Sequence, residues 1–249
     1  MKVLVIGDSC KDVYVYGECD RMCPSAPVPV FIPKIKRENK GMAGNVYENL
    51  LSLKVDCDIV TNQNEITKTR YVEEKTNHII IRIDSGEEKI KKINELNLHL
   101  IDFGGYDAVV ISDYNKGFLS ESDIQYIAEH HDLVFLDTKK ILGDWAQSVK
   151  FIKINEVEYN RTQRLIKDKK WIKEKTIVTI GSRGCIYRDK TFSVNKVEIK
   201  DLSGAGDSFL AGLVFNYLKN KNIYDSMIFA NECATKVVQQ KGVNTINEI

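Results

Sequence analysis

Short, mostly apolar runs alternate with longer segments of helical period along the chain. Lys2 to Ile6 is one such run and ends in Gly7-Asp8. Asp107 to Ile111, Leu133 to Leu136, Phe151 to Ile154 and Ile177 to Ile180 repeat it, and the last three lead into Asp137, Asn155 and Gly181. Runs of this length and composition predict strands buried on both faces. Ala43 to Leu53, Ser120 to His130, Ala205 to Lys219 and Ile223 to Gln240 predict helices. Strands alternating with helices predict an α/β fold, a mostly parallel sheet with helices on both faces.

Two segments break the alternation. Val28 to Ile35 and Thr67 to Asp84 have alternating or β-branched character with no helix between them. They predict antiparallel strands, a small sheet set beside the core as a lid. No internal repeat, low-complexity tract or Gly/Ser linker divides the chain. The expectation is one domain over 1–249, with lid strands within about 12–36 and 67–84.

Composition changes this picture little. The 249 residues carry 43% hydrophobic and 29% charged side chains and a formal net charge of +1. That length can bury a sizeable core, and that charge gives no field for nucleic acid or membrane. The basic stretches Lys34–Lys40 and Lys167–Lys175 read as solvated faces. No apolar run approaches the roughly 20 residues a membrane span needs. The first run is too short for a signal peptide. The six cysteines lack zinc-finger spacing, so reduced thiols and a cytoplasmic location are expected. The four histidines show no ligand or triad spacing.

Asp201-Leu202-Ser203-Gly204-Ala205-Gly206-Asp207, followed by an apolar helix, carries the strongest chemical signal. Two glycines around an alanine let the backbone turn tightly and aim successive N–H groups at one point. The helix that follows adds its positive end. Asp207 sits beside this anion hole. A helix cap is one role for it; a general base for phosphoryl transfer is the other. On the residues alone both stand.

Gly-Ala-Gly-Asp before a late apolar helix resembles the C-terminal signature of the ribokinase (PfkB-type) carbohydrate kinase family, and other segments match in the same order. Gly7-Asp8 with Asp12 is similar to the family's first strand and sugar-binding Asp. Gly41-Met42-Ala43-Gly44-Asn45 resembles its sugar-binding turn. Asn155-Glu156-Val157-Glu158 resembles Asn-x-x-Glu, Thr179 to Gly184 the strand-end loop beside the nucleotide, and Ala230-Asn231 the adenine pocket. The resemblance implies a ribokinase-like three-layer sandwich with a β lid and a homodimer formed through that lid. It also implies ATP and magnesium as cofactors. Asp207 is then the base and Gly204, Ala205 and Gly206 the anion hole. Asp8, Asp12, Gly41 and Asn45 face the sugar. Asn155, Glu158, Thr179, Gly181, Gly184 and Asn231 serve the nucleotide, with Glu158 reaching magnesium through water.

A narrower resemblance is to D-glycero-D-manno-heptose-7-phosphate kinases. It rests on Arg21 to Val30, Ile66 to Arg70, Ile81 to Asp84, Ser112 to Gly117 and Asp137-Thr138-Lys139. Lys68, Arg70, Arg82 and Lys116 would then suit an acceptor that already carries a phosphate.

The match departs in places. Met42 replaces the second glycine of the sugar turn, Leu202 a small or hydroxylated residue, and Ser25 an acidic one. A strand-helix unit usual in the family is missing between Lys54 and Thr67. The chain stops soon after Asn244, so the nucleotidyltransferase activity of bifunctional relatives is not expected. Asp12 as a turn residue, Asn155 as an N-cap, and Gly181 and Gly184 as hairpin glycines remain the plainer readings. Two rivals follow: a kinase of this type for another sugar or nucleoside, and a non-catalytic kinase fold that binds sugar phosphate or nucleotide. A dinucleotide-dependent dehydrogenase is excluded, because no GxGxxG follows the first strand.

Overall fold

A computed structural model describes residues 1–93, 98–165 and 169–246; Lys167, in the second basic stretch, lies outside them. The large sheet is built from β1 (Lys2–Gly7), β4 (Asp56–Thr61), β7 (Ala108–Asp113), β8 (Val134–Thr138), β9 (Phe151–Asn155), β10 (Thr176–Thr179), β11 (Cys185–Tyr187) and β12 (Lys190–Phe192). Its order is β12-β11-β10-β9-β8-β7-β1-β4. The pairings from β4 to β10 are parallel, and the β10–β11 and β11–β12 pairings are antiparallel.

Alternate residues of one strand serve two cores. Val3 and Val5 pack with residues of α1 (Ala43–Ser52), α5 (Ala205–Asn220) and α6 (Ile223–Val237). Leu4 and Ile6 pack on the other face with residues of α2 (Glu121–His130). This is why the strands read as unbroken apolar runs. Two further helices, α3 (Glu156–Leu165) and α4 (Lys170–Lys175), lie between β9 and β10 in the chain. Ser120 and Asp123 form a capping box that starts α2.

The lid is a four-stranded sheet of order β3-β2-β5-β6, from β2 (Ser9–Met22), β3 (Pro29–Met42), β5 (Thr67–Glu73) and β6 (His78–Ser85). Its outer pairings are antiparallel as expected, but the central β2–β5 pairing is parallel. The expected lid strands were too short: β2 runs 14 residues through Asp12, Lys11 and Glu18. A strand with its polar residues in a lid shows none of the apolar continuity that marks a core strand. Tyr14, Tyr16 and Val72 of the lid pack against Val243, and Asn39 Nδ2 donates to the Val243 carbonyl at 2.5 Å. β4 forms the outer edge of the large sheet, and residues 62–66 lead from it into β5 with no helix between them. Among the described residues no helix is long and apolar enough to cross a membrane.

Candidate active site

The C-terminal ends of the parallel strands carry the polar residues. Gly7-Asp8 follows β1, and Asp113, Asp137, Asn155 and Thr179 lie at or near the ends of β7, β8, β9 and β10. Ligands of open α/β sheets bind at this edge. The N-terminus of α5 points into the same region.

Gly204 is the N-cap of α5 with φ +80°, a left-handed backbone that favours glycine. A Cβ there would lie 2.8 Å from Asn45 Nδ2. Without one, Asn45 reaches past the turn and donates to Asp207 Oδ2 at 2.9 Å. Tyr114 Oη donates to Asp207 Oδ1 at 2.7 Å. Asp207 is 4% exposed. Burial lifts its carboxyl to about 6, against the hydrogen bonds from Asn45 and Tyr114 and the charge of Lys153, which pull it down. The first-turn N–H groups of a helix lack intrahelical partners, so donors converge beside a carboxylate that exchanges its proton near neutral pH.

Asn45 is itself oriented. Asn49 Nδ2 donates to Asn45 Oδ1 at 3.0 Å and to its backbone carbonyl at 2.8 Å. Asn49 Oδ1 accepts from Ser208 Oγ at 3.3 Å and from the Ile246 N–H at 3.0 Å. With its oxygen engaged by Asn49, Asn45 presents its N–H to Asp207.

Among the residues expected to face a sugar, Asp12 is ion-paired with Arg70, and Gly41 lies against it. A Cβ on Gly41 would lie 2.1 Å from Asp12 Oδ2. Met42 is the N-cap of α1 with φ +58°, a position where glycine would be unstrained. Its side chain is buried with Cys10 and Ile66, next to Tyr114. Asp8 is 1% exposed and accepts from the N–H groups of Tyr114, Lys116 and Phe118. Its carboxylate therefore anchors the loop that carries Tyr114.

The cations differ in their engagement. Arg82 makes a two-pronged contact to Asp84 at 2.7 and 2.6 Å, and Lys116 pairs with Glu87 at 2.6 Å. Lys68 is 7% exposed and sits 5.3 Å from the centroid of the Tyr114 ring. It has no hydrogen bond or ion pair among the described residues.

Among the residues expected to serve a nucleotide, Asn155 and Glu158 form a reciprocal pair. Glu158 accepts from the Asn155 N–H and Nδ2, both at 2.8 Å, and Asn155 Oδ1 accepts from the Glu158 N–H at 2.9 Å. That is capping-box geometry at the start of α3. Lys139 Nζ reaches Glu158 Oε1 at 2.6 Å and Asp137 Oδ1 at 3.8 Å. Thr179, Gly181 and Gly184 follow one another at the end of β10. Asn231 is buried on α6, where Nδ2 donates to the Phe192 carbonyl at 2.9 Å and so holds β12. Among the described residues no three His, Cys, Asp or Glu side chains group around a metal position.

Tyr114 and Lys153 join the site only in the fold. Tyr114 was legible as part of a family-like segment. Lys153 lies inside a core strand, where a lone lysine between isoleucines was its only signal.

Fold and cradle together define a sugar kinase architecture. The sequence profile of the pfkB family carbohydrate kinase matches residues 41–249, and the chain belongs to this family of sugar phosphotransferases. The bifunctional protein HldE of Helicobacter pylori strain J99 is 31% identical over 97% of this chain. HldE of Nitratiruptor sp. is 29% identical over 98% of it. The chain spans 63% of the length of these curated relatives. The first alignment runs 294 positions against 249 residues here, so at least 45 positions of it are gaps in this chain. Among solved structures, the Methanocaldococcus jannaschii nucleoside kinase superposes with TM-score 0.72 at 18% identity, covering 99% of this chain and 96% of that one. The Arabidopsis thaliana ribokinase complexed with ribose and ATP gives 0.71 at 16%, covering 99% and 95%.

Proposed function

We propose that this chain is an ATP-dependent kinase that transfers the γ-phosphoryl group to a hydroxyl of a sugar phosphate, with heptose 7-phosphate the best candidate acceptor. The observation that carries this reading is Asp207, a buried carboxylate with pKa about 6 at the head of α5, held by Asn45 from the sugar turn and by Tyr114. A base at this position is ionised at neutral pH and still basic enough to accept a hydroxyl proton. The N–H groups of Gly204, Ala205 and Gly206 take up charge on the moving group.

The sugar lies against Asp12, Gly41 and Asn45 beneath the lid, and Asp8 acts at one remove through the loop it anchors. Lys68, Arg70, Arg82 and Lys116 receive the phosphate the acceptor already carries. Lys68 is the readiest of them, since among the described residues it gives up no hydrogen bond or ion pair. The nucleotide phosphates run along Thr179, Gly181 and Gly184, and the adenine lies toward Asn231, whose amide shapes the pocket wall.

Magnesium fits this arrangement only through water. Both Glu158 oxygens are engaged by Asn155 and Lys139, whereas Asp137 Oδ1 is buried without a hydrogen bond. Magnesium retains several waters and binds by one or two carboxylates plus substrate phosphates, so Glu158 and Asp137 would hold its hydration shell. When bound, the ion neutralises phosphate charge.

The apolar residues Ile79, Ile81 and Ile83 alternate along β6, each about half exposed, and Ile32 and Ile35 are exposed on β3. Such a row on a lid sheet supports a homodimer formed there. The buried Met42 side chain beside the sugar turn favours a second acceptor class, another sugar or a nucleoside.

The test is ADP release with ATP and magnesium across a panel of sugars, nucleosides and sugar phosphates that includes heptose 7-phosphate. Turnover on heptose 7-phosphate above the rest is expected. A preference for an unphosphorylated acceptor would remove the heptose assignment. Nucleotide binding without turnover on any acceptor would replace the kinase by a binding protein.

A further inference from the structure

Lys153 occupies a place that a strand residue facing a helical core does not usually hold. It shares the face of β9 with Phe151, which belongs to the core under α5 and α6. Across the parallel β8–β9 pairing its partner is Asp137, and its Nζ donates to Asp137 Oδ2 at 2.6 Å. Both side chains are almost fully buried, at 5% and 2% exposure. An ammonium has three donors, and the contact to Asp137 is its single hydrogen bond among the described residues.

The other neighbour is the anion turn. A Cβ on Gly206 would lie 2.9 Å from Lys153 Nζ. The missing side chain at Gly206 thus lets the ammonium come up against the first turn of α5. A cation at a helix N-terminus is unfavourable, because both are positive, and a buried ion pair is in itself no better for stability than apolar packing. The arrangement becomes favourable when an anion joins the ammonium and the helix end. The charge of Lys153 also acts on Asp207, the next residue of that turn.

We infer that Lys153 is a catalytic residue whose ammonium, steered by Asp137, donates a hydrogen bond to the phosphoryl group as it passes from nucleotide to acceptor. The inference rests on the kinase reading above. The bond from the γ-phosphorus to the bridging oxygen breaks, and its electron pair leaves on ADP. The acceptor oxygen forms the new P–O bond and its proton goes to Asp207. Lys153 keeps its proton throughout and lowers the barrier by charge alone.

The experiment compares wild type, K153M/D137N, D137N and G206A, each checked by thermal melting. The double variant strands no buried charge. G206A leaves both side chains in place and displaces only the flexible end of Lys153. Two readouts are taken: affinity for ADP with magnesium, with and without aluminium fluoride, and kcat and KM for the best acceptor of the panel. G206A should bind ADP within threefold of wild type; it and K153M/D137N should each bind ADP with aluminium fluoride at least tenfold more weakly than wild type, relative to their own affinity for ADP, and lose about 10²–10³ in kcat. D137N alone should lose less than the double variant. Wild-type affinity for the fluoride complex in K153M/D137N, or equal losses in D137N and the double variant, would overturn the role of Lys153 and leave the kinase reading intact. Failure of wild type to bind ADP at all would overturn both.

Discussion

The cradle around Asp207 and the lid above it are assembled on different terms. In the cradle the carboxylate is met by neutral donors, Asn45 and Tyr114, and its proton affinity is set by burial. Nothing there has to be exchanged before a hydroxyl can take its place beside Asp207 except one hydrogen bond. In and beside the lid, cations meet carboxylates of the protein itself: Arg70 with Asp12, Arg82 with Asp84, Lys116 with Glu87. On the proposed reading a substrate phosphate competes with these partners; the exposed Arg82 pair is worth about 0–1 kcal/mol, whereas the Arg70–Asp12 pair is nearly buried. On that reading the chemistry belongs to the core, whereas acceptor preference belongs to the ion pairs in and beside the lid. Family membership can be firm while the acceptor is open.

Lys68 is the exception in the lid and gives the largest expected effect of the lid residues. Among the described residues it is buried without an ion-pair partner, so its charge would be available to a phosphate on the proposed acceptor. Lys68→Met should raise KM for a phosphorylated acceptor by roughly 10- to 100-fold, as expected for a lost charge-assisted hydrogen bond. KM for ATP should stay within threefold. Equal loss on phosphorylated and unphosphorylated acceptors would move Lys68 out of phosphate recognition.

Tyr114 links the two regions, its hydroxyl on Asp207 and its ring beside Lys68 and Lys139. Its hydrogen bond lowers the Asp207 pKa. Tyr114→Phe should therefore shift the acid limb of kcat/KM to higher pH, with about a tenfold loss measured near pH 6. An unmoved limb would mean that the hydroxyl does not act on the base.

A stability measurement tests the electrostatics of the cradle without any substrate. The folded pKa of Asp207, about 6, lies above the ordinary carboxylate value near 3.8. The folded state then binds more protons than the unfolded one between these values, and folding loses stability as pH rises through that window. Asp207→Asn removes this penalty. Its stability relative to wild type should improve by about 2 kcal/mol between pH 4 and pH 8. A constant difference in denaturant titrations across that range would place the Asp207 pKa near normal.

The smallest effect belongs to Arg82, which is 45% exposed and paired within its own strand. Arg82→Ala should change KM for any acceptor by less than threefold. A tenfold rise would make the outer lid part of the acceptor site.

The contrast also explains what could be read before the fold was known. Gly204 to Asp207 was legible because a tight turn before an apolar helix has a local pattern, and the strand ends were legible because apolar runs stop there. The length of β2 was hidden by its polar residues, and its parallel pairing with β5 is a long-range contact without a local mark. Asp8 reads as facing the sugar, and the structure adds that its carboxylate accepts from three backbone N–H groups of the 114–118 loop. Asn231 reads as lining the adenine pocket, and the structure adds that its amide donates to the Phe192 carbonyl. In both, the residue type was visible and its partners were set by tertiary packing.

The most direct test of the base assignment is the rate of ADP formation in a single turnover with ATP, magnesium and heptose 7-phosphate, followed against pH in wild type and Asp207→Asn. The wild-type rate should rise with unit slope to a pKa near 6 and then level off, while the variant binds ATP normally and turns over roughly 10²- to 10⁴-fold more slowly with no such limb. A variant that keeps the wild-type rate and the same pH profile would show that Asp207 caps α5 and that the proton goes elsewhere.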